Sequence, residues 1–214
     1  ETKAADAIAK QNGSSPWKIK KMAELQNITH RIVTEKTSNA TAFERTDETL
    51  ARNWVLPGTP ELMHRIGSLE KDFVTGQASH APANHQKMVS LRQEKVDRVS
   101  QVIPELYVHG DASGDLLVVG WGGTYGHLIS AVERLRNQGK KVSLAHFNYI
   151  HPLPKNTAEV FAKFKKIIVC ELNMGQFANY LRMKMQDFTY EQYNKVQGLP
   201  FTVEEITEAC SKHV

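Results

Sequence analysis

Cysteine is nearly missing from this chain, with Cys170 and Cys210 the only 2 among 214 residues. So few thiols exclude a disulfide framework, an iron–sulfur cluster held by four thiolates, and an all-thiolate tetrahedral zinc site built from this chain alone. Cys170 ends an apolar run and Cys210 sits in a terminal helix pattern, which fits reduced thiols in a cytoplasmic protein. Long apolar runs are also missing, and none reaches the roughly 18 to 20 residues that a membrane-crossing helix needs. The chain opens without a basic stretch leading into an apolar one, so no secretory signal is visible, and the missing initiator Met suggests a processed or truncated chain. Charge of one sign is scarce too: 27 Lys+Arg against 23 Asp+Glu leave a net charge of +4. The short clusters Lys18, Lys20, Lys21 and Lys163, Lys165, Lys166 read as solvated ends of elements rather than as a nucleic-acid stripe. What remains, at 41% hydrophobic and 23% charged residues, is enough apolar mass for one real core plus an appendage.

The texture changes near residue 104. Residues 1–103 are polar and poorly periodic, punctuated at Asn12-Gly13, Pro16, Pro57-Gly58, Pro60, Gly67, Gly76 and Pro82. Two elements are expected there. One is an extended segment from Ile28 to Glu35. The other is a helix from about His85 to Val99, with Met88, Leu91, Val96 and Val99 along one face. So little periodicity over so long a stretch reads as a long connector whose partner surface lies elsewhere.

Residues 104–214 alternate strand and helix signals. Leu116 to Val119, closed by Gly120, fits a buried parallel strand, and Leu128, Ala131, Val132 and Leu135 mark a helix ending at Gly139. A second strand is expected at about Lys141 to Tyr149, and a helix from Asn156 to Phe164, where Asn156 and Glu159 give the start signal. A third strand falls at Ile167 to Cys170. Next come a helix from Gly175 to Phe188, an edge strand around Tyr193 to Val196, and a terminal helix behind a Thr202/Glu205 capping box. This order predicts an α/β fold with an open, mostly parallel sheet flanked by helices.

Open sheets of this kind bind ligands beyond the carboxyl ends of their strands. Three loops are expected there: Gly120 to Gly126, Asn148 to Pro154, and Glu171 to Gln176. The first approaches a G-x-G-x-x-G fingerprint but has Tyr125 where the third glycine belongs, and no acidic residue closes the second strand. Nor does it supply the lysine of a phosphate-binding P-loop. Gly122, Gly123, Thr124 and Tyr125 are therefore weak candidates for an anion or interface site, beside the alternative that the glycines only let strand, turn and helix pack closely. Cys170, with His146 and His151 on neighbouring loops, is a conceivable nucleophile, although buried strand cysteines are ordinarily inert. The pairs His80/His85 and His146/His151 lack any tight ligand spacing, and no metal site is expected. No serine-hydrolase elbow occurs. The residues alone supply a scaffold without a complete active site. They leave open a stand-alone α/β nucleotide-binding enzyme using the Gly120–Gly126 loop.

The order of motifs carries a resemblance. The segments Asn12 to Lys18, Pro57 to Pro60, Asn84 to Val89, Val119 to Gly126, Pro152 to Asn156, Glu171 to Gln176 and Asn194 to Phe201 together resemble the α subunit of 2-oxoacid:ferredoxin oxidoreductases, nearest to the 2-oxoglutarate type. The resemblance runs collinearly from about residue 12 to the end. It implies an enzyme that oxidatively decarboxylates a 2-oxoacid, transfers the acyl group to coenzyme A and passes two electrons to ferredoxin, using thiamine diphosphate and an iron–sulfur cluster. It further implies that residues 104–214 are similar to the transketolase C-terminal domain, and that residues 1–103 are the end of a pyrimidine-binding domain with its connector. The implied partners are the β subunit, the remaining N-terminal domains of the α subunit, ferredoxin and coenzyme A, with no nucleic acid and no membrane. The family's Y-P-I-T-P segment and the G-D-G…N-N thiamine diphosphate motif do not occur. Gly110-Asp111 and Gly114-Asp115 lack the third glycine and the asparagine pair. No catalytic residue of the family maps onto this sequence, so the chain by itself is expected to be inactive and to serve packing and subunit assembly.

Overall fold

A computed structural model describes residues 32–33, 42–67 and 69–214. The motif at 12–18, the lysines at 18–21 and most of the extended segment expected at 28–35 lie outside these residues. The chain divides into two compact units, Glu1–Val102 and Ile103–Val214.

The first unit holds little regular structure. Strand β1 (Ile32–Val33) pairs in parallel with β2 (Trp54–Val55). Helix α1 spans Pro82–Arg98, three residues earlier at its start than the periodicity suggests, because Pro82 is well suited to a first helical turn. Of the apolar face expected on α1, only Met88 is buried. The loop before it is held by the Asn84 amide, which accepts from the Phe73 N–H at 3.0 Å and donates to the Lys71 carbonyl at 3.0 Å. Gly76, at φ +71°, lies so close to the Phe43 ring that a Cβ would fall 2.1 Å from it.

The second unit is a five-stranded sheet of β3 (Val108–His109), β4 (Gly114–Trp121), β5 (Val142–Phe147), β6 (Phe164–Glu171) and β7 (Glu191–Asn194), ordered β3-β5-β4-β6-β7. All neighbours are parallel except β3, which runs antiparallel to β5 at one edge. Its helices are α2 (Tyr125–Asn137), α3 (Thr157–Phe161), α4 (Gln176–Lys184) and α5 (Val203–Ser211). Leu116, Leu117, Val118 and Val119 in central β4 are all fully buried because helices cover both faces of the sheet. Strand alternation then sorts them. Leu116 and Val118 join the layer of α2 and α5, with Leu128, Val132, Leu135 and Ile206. Leu117 and Val119 join the layer of α3 and α4, built on Phe147, Phe161, Phe177 and Leu181.

Helix α2 ends as expected. Gly139 takes φ +81°, its N–H meets the Arg136 carbonyl, and the Lys140 N–H reaches back to Leu135, a Schellman close. The capping box ahead of α5 is present in both directions, Glu205 N–H to Thr202 Oγ1 at 3.1 Å and Thr202 N–H to Glu205 Oε2 at 2.8 Å. Three expectations shift. Helix α3 is only a short turn, and Asn156 does not cap it with its side chain. That amide instead clamps Leu106, accepting from its N–H at 2.8 Å and donating to its carbonyl at 3.1 Å. Helix α4 stops at Lys184 rather than Phe188, and the edge strand β7 lies two residues earlier than the sequence suggests.

Candidate functional site

Strand order fixes where a ligand crevice belongs. From β4 the chain crosses through α2 to β5 on one side, and from β6 it crosses through α4 to β7 on the other. The order therefore reverses between β4 and β6, and their carboxyl ends, Trp121 and Glu171, flank the switch point where open α/β sheets hold ligands.

Here the protein's own side chains occupy that crevice. Glu171 is 1% exposed, and its carboxylate closes the amino end of α4. Oε2 accepts from Phe177 N–H at 2.8 Å and Oε1 from Ala178 N–H at 2.9 Å. Trp121 Nε1 donates across the strand ends to Glu171 Oε2 at 3.3 Å. Asn173 Oδ1 takes two further N–H groups, from Gly175 at 2.7 Å and Gln176 at 3.1 Å. The positive end of the α4 dipole and its first free donors are thus satisfied internally.

The glycine-rich loop lies next to this closed crevice. Gly122, Gly123 and Thr124 form one 3-10 turn, and Tyr125 starts α2. Gly120 serves packing, since a Cβ there would lie 2.1 Å from Leu128 Cδ1. Gly122 serves the turn, at φ +63°. Gly123 and Gly126 have neither role, for a Cβ on either meets nothing within 4 Å. Close packing, the plain reading of this loop, accounts for the first glycine and not for the last two.

Thr124 is buried, and its hydroxyl donates to the Trp121 carbonyl at 2.9 Å while lying 3.5 Å from His146 Nε2. The Tyr125 ring meets His146 edge-on at 5.2 Å between centroids. Burial holds His146 below the ordinary histidine range, and hydrogen bonding with the Gly122 and Trp121 backbone opposes that only in part. Gly122, Tyr125 and His146, together with Tyr107, His109, Leu144 and Asn148, wall a shallow cavity of about 390 Å³ at the carboxyl edge of β5. His109 Nε2 is engaged by Glu133 Oε1 at 2.5 Å. The cavity offers aromatic edges, a neutral imidazole and backbone, which suit contact with a surface or a ligand. Tyr107 and His109 went unread in the sequence because β3 joins the sheet from outside the α/β alternation, whereas Asn148 opens the second of the three loops expected at this edge.

The remaining candidates separate. Cys170 is fully buried beside Cys210, whose hydrogen-bonding thiol, together with burial and the Glu171 charge, raises Cys170 well above the ordinary thiol range. Such a thiol stays protonated and makes a poor nucleophile. His151 is exposed and bonds the Tyr180 hydroxyl at 2.8 Å. His85 pairs with Glu70 at 2.9 Å. Lys163, Lys165 and Lys166 each have a local partner: Glu159, Asp115 and the His213 carbonyl. No group of three or more His, Cys, Asp or Glu able to hold a metal ion occurs among the described residues. No helix among them is long and apolar enough to cross a membrane.

The cofactors implied by the sequence resemblance can be tested against these residues. Asp111 is paired with Arg136 at 2.9 Å, and Asp115, at the amino end of β4, with Lys165 at 2.7 Å. Neither carboxylate is placed to hold the metal of a diphosphate, and the buried thiol pair offers no thiolate set for a cluster. The described residues do not fit either group.

Comparison with known proteins bears on the same segment. Residues 114–206 match the family model of the pyruvate:ferredoxin oxidoreductase core domain II. The chain is 41% identical over 197 residues to the 2-oxoglutarate oxidoreductase subunit KorA of Mycobacterium tuberculosis, covering 91% of this chain and 29% of that subunit. It is 30% identical over 141 residues to the 2-oxoacid:ferredoxin oxidoreductase 1 subunit alpha of Aeropyrum pernix, covering 62% of this chain and 22% of that one. In structure it is similar to the 2-oxoglutarate:ferredoxin oxidoreductase of Magnetococcus marinus, solved with 2-oxoglutarate, coenzyme A and succinyl-CoA bound. The TM-score is 0.72 at 29% identity, over 84% of this chain and 32% of that one. The chain thus spans under a third of the length of these relatives. By these likenesses the chain is similar, over most of its length, to the α subunits of 2-oxoacid:ferredoxin oxidoreductases.

Proposed function

We propose that this chain is the C-terminal assembly part of a 2-oxoglutarate-type 2-oxoacid:ferredoxin oxidoreductase α subunit, working in the cytoplasm. The complete enzyme converts a 2-oxoacid and coenzyme A to acyl-CoA, carbon dioxide and reduced ferredoxin. Thiamine diphosphate and an iron–sulfur cluster are held by other polypeptide. Residues 104–214 are the transketolase C-terminal-like domain, and residues 1–103 are the end of the pyrimidine-binding domain and its connector.

One observation carries this reading. The crevice at which an open α/β sheet ordinarily binds its ligand is closed by Trp121 and Glu171, both spent on holding α4 and the strand ends. Exposed apolar side chains in the first unit support it as well: Met63 is 98% exposed, Ile66 80% and Val74 71%. Such side chains would be covered where other polypeptide meets the first unit. In the assembled enzyme the chain's own residues would position neighbouring domains and exclude water at their junction, with Tyr107, Tyr125 and His146 presenting an aromatic contact.

Coexpression with the remaining α-subunit polypeptide and the β subunit tests the proposal. The chain is expected to co-purify with them as one stoichiometric complex through a sizing column. Separate elution of a stable, isolated chain counts against it.

A further inference from the structure

In the first unit, Arg45 and Arg52 face each other across an isolated antiparallel bridge. Like charges placed directly opposite in this way repel. The Nε atoms of both are buried and have no hydrogen-bond partner. Arg45 spends one Nη1 donor on the Leu50 carbonyl at 2.7 Å, and Arg52 lies over the Phe43 ring at 5.1 Å. Arg92 and Lys95 of α1 lie within electrostatic reach. Burial, then the neighbouring guanidinium groups, hold both Arg45 and Lys95 below their ordinary ranges.

The adjoining cavity, of about 350 Å³, is walled by Arg52, Lys71, Arg92 and Glu70, with Ile66 and Leu69. Glu70 is its single carboxylate, and that group is already shared between Arg92, at 2.9 and 3.3 Å, and His85, at 2.9 Å. Arg52, Lys71 and Arg92 thus wall the hollow against one carboxylate, itself bonded to Arg92 and His85, and the Nε atoms of Arg45 and Arg52, both buried, lack acceptors. A buried donor without a partner costs about 1–3 kcal/mol, more when it is charged. Planar guanidinium forks are the groups that best recognise a tetrahedral oxyanion.

We propose that this cavity is an anion site for a phosphate or diphosphate group, gripped by Arg52, Lys71 and Arg92 and backed by Arg45 and Lys95. A bound oxyanion would set negative charge against Arg52, Lys71 and Arg92, and would relieve the repulsion across the Arg45–Arg52 bridge.

The test titrates the 214-residue chain with pyrophosphate at constant ionic strength, following the arginine Nε–Hε resonances. Saturable one-to-one binding is expected, with the signals of Arg45 and Arg52 shifting together. Arg52→Gln and Arg92→Gln should each weaken binding by about tenfold or more, as loss of one charge-assisted contact implies. Arg92, half exposed, can be replaced without disturbing the interior, so it keeps the test decisive if Arg52→Gln fails to fold. Lys165→Gln, on the other unit, should leave binding unchanged. Absence of saturation, or equal weakening by Lys165→Gln, overturns the site. So does a folded Arg92→Gln protein that binds as tightly as the parent. Orthophosphate and adenosine monophosphate, run alongside, separate recognition of the phosphate alone, read as equal affinity, from a site that also takes the organic part, read as tighter binding of the nucleotide.

Discussion

Trp121 and Glu171 stand side by side at the carboxyl ends of two adjacent parallel strands, with the indole N–H 3.3 Å from a carboxylate oxygen that also holds the Phe177 N–H. That contact spans the point where strand order reverses. A sheet that places its ligand there keeps the position open, whereas this one fills it. The same carboxylate fixes α4, so the closure is part of the fold and not a side chain resting in an available gap.

Glu171→Gln should therefore destabilise the second unit by about 2–3 kcal/mol, since the amide keeps one acceptor, loses the charge and turns an NH2 group toward N–H donors. Trp121→Phe removes only the cross-strand donor and should cost about 1 kcal/mol beyond lost packing. Urea unfolding followed by circular dichroism measures both. Equal costs would mean that Glu171 does not carry the helix end.

The glycines should separate by role. Gly120→Ala places a methyl against Leu128 and should cost about 1–3 kcal/mol. Gly122→Ala, at positive φ, should cost about 1 kcal/mol or more. Gly123→Ala, in open space at an ordinary φ, should be close to neutral in the isolated chain. If Gly123→Ala nevertheless weakens assembly with the other subunits, something approaches that backbone closely in the complex. Thermal melts and sizing chromatography read the two effects separately.

His146 sets a pH dependence. Its folded pKa lies below the unfolded value of about 6.5, so the unfolded chain binds the proton more readily. Stability from this site is complete above the unfolded value and falls as pH drops through it toward the folded value. His146→Gln should flatten that part of the stability curve as pH falls below the unfolded value of about 6.5. Denaturant midpoints across the window check the sign, and an unchanged slope would remove His146 as its source.

Tyr190 behaves oppositely at high pH. Burial raises its hydroxyl to about 12. Folding therefore favours the protonated phenol, and the associated stability is present below about pH 10 and lost as pH rises through the folded value. Ultraviolet titration should show Tyr190 ionising late, beside Tyr193, which burial also raises, and Tyr190→Phe should remove the Tyr190 contribution alone.

Much of this architecture is legible in the sequence. The run Leu116 to Val119 and the spacing of Leu128, Ala131, Val132 and Leu135 read correctly because burial and period coincide there. Local chemistry was equally plain at Gly139 and at Thr202/Glu205, where both partners lie within one turn. The end of α4 was misread for a physical reason. Met185 and Phe188 do continue the stripe of Phe177 and Leu181 into the same apolar layer, yet the helix stops at Lys184 and the chain reaches that layer by turning. Asn156 looked like a cap because its true partner, Leu106, lies 50 positions away. Glu171 is similar, as nothing near it in sequence announces Trp121. The arginines at 45, 52 and 92 are brought together only by tertiary structure and left no linear motif.

The most direct measurement is a viologen-dye reduction assay with 2-oxoglutarate and coenzyme A, run on the purified chain alone and again after reconstitution with the remaining α-subunit polypeptide and the β subunit. The account predicts no substrate-dependent reduction by the chain alone and full reduction by the reconstituted enzyme. Turnover by the chain alone would contradict it.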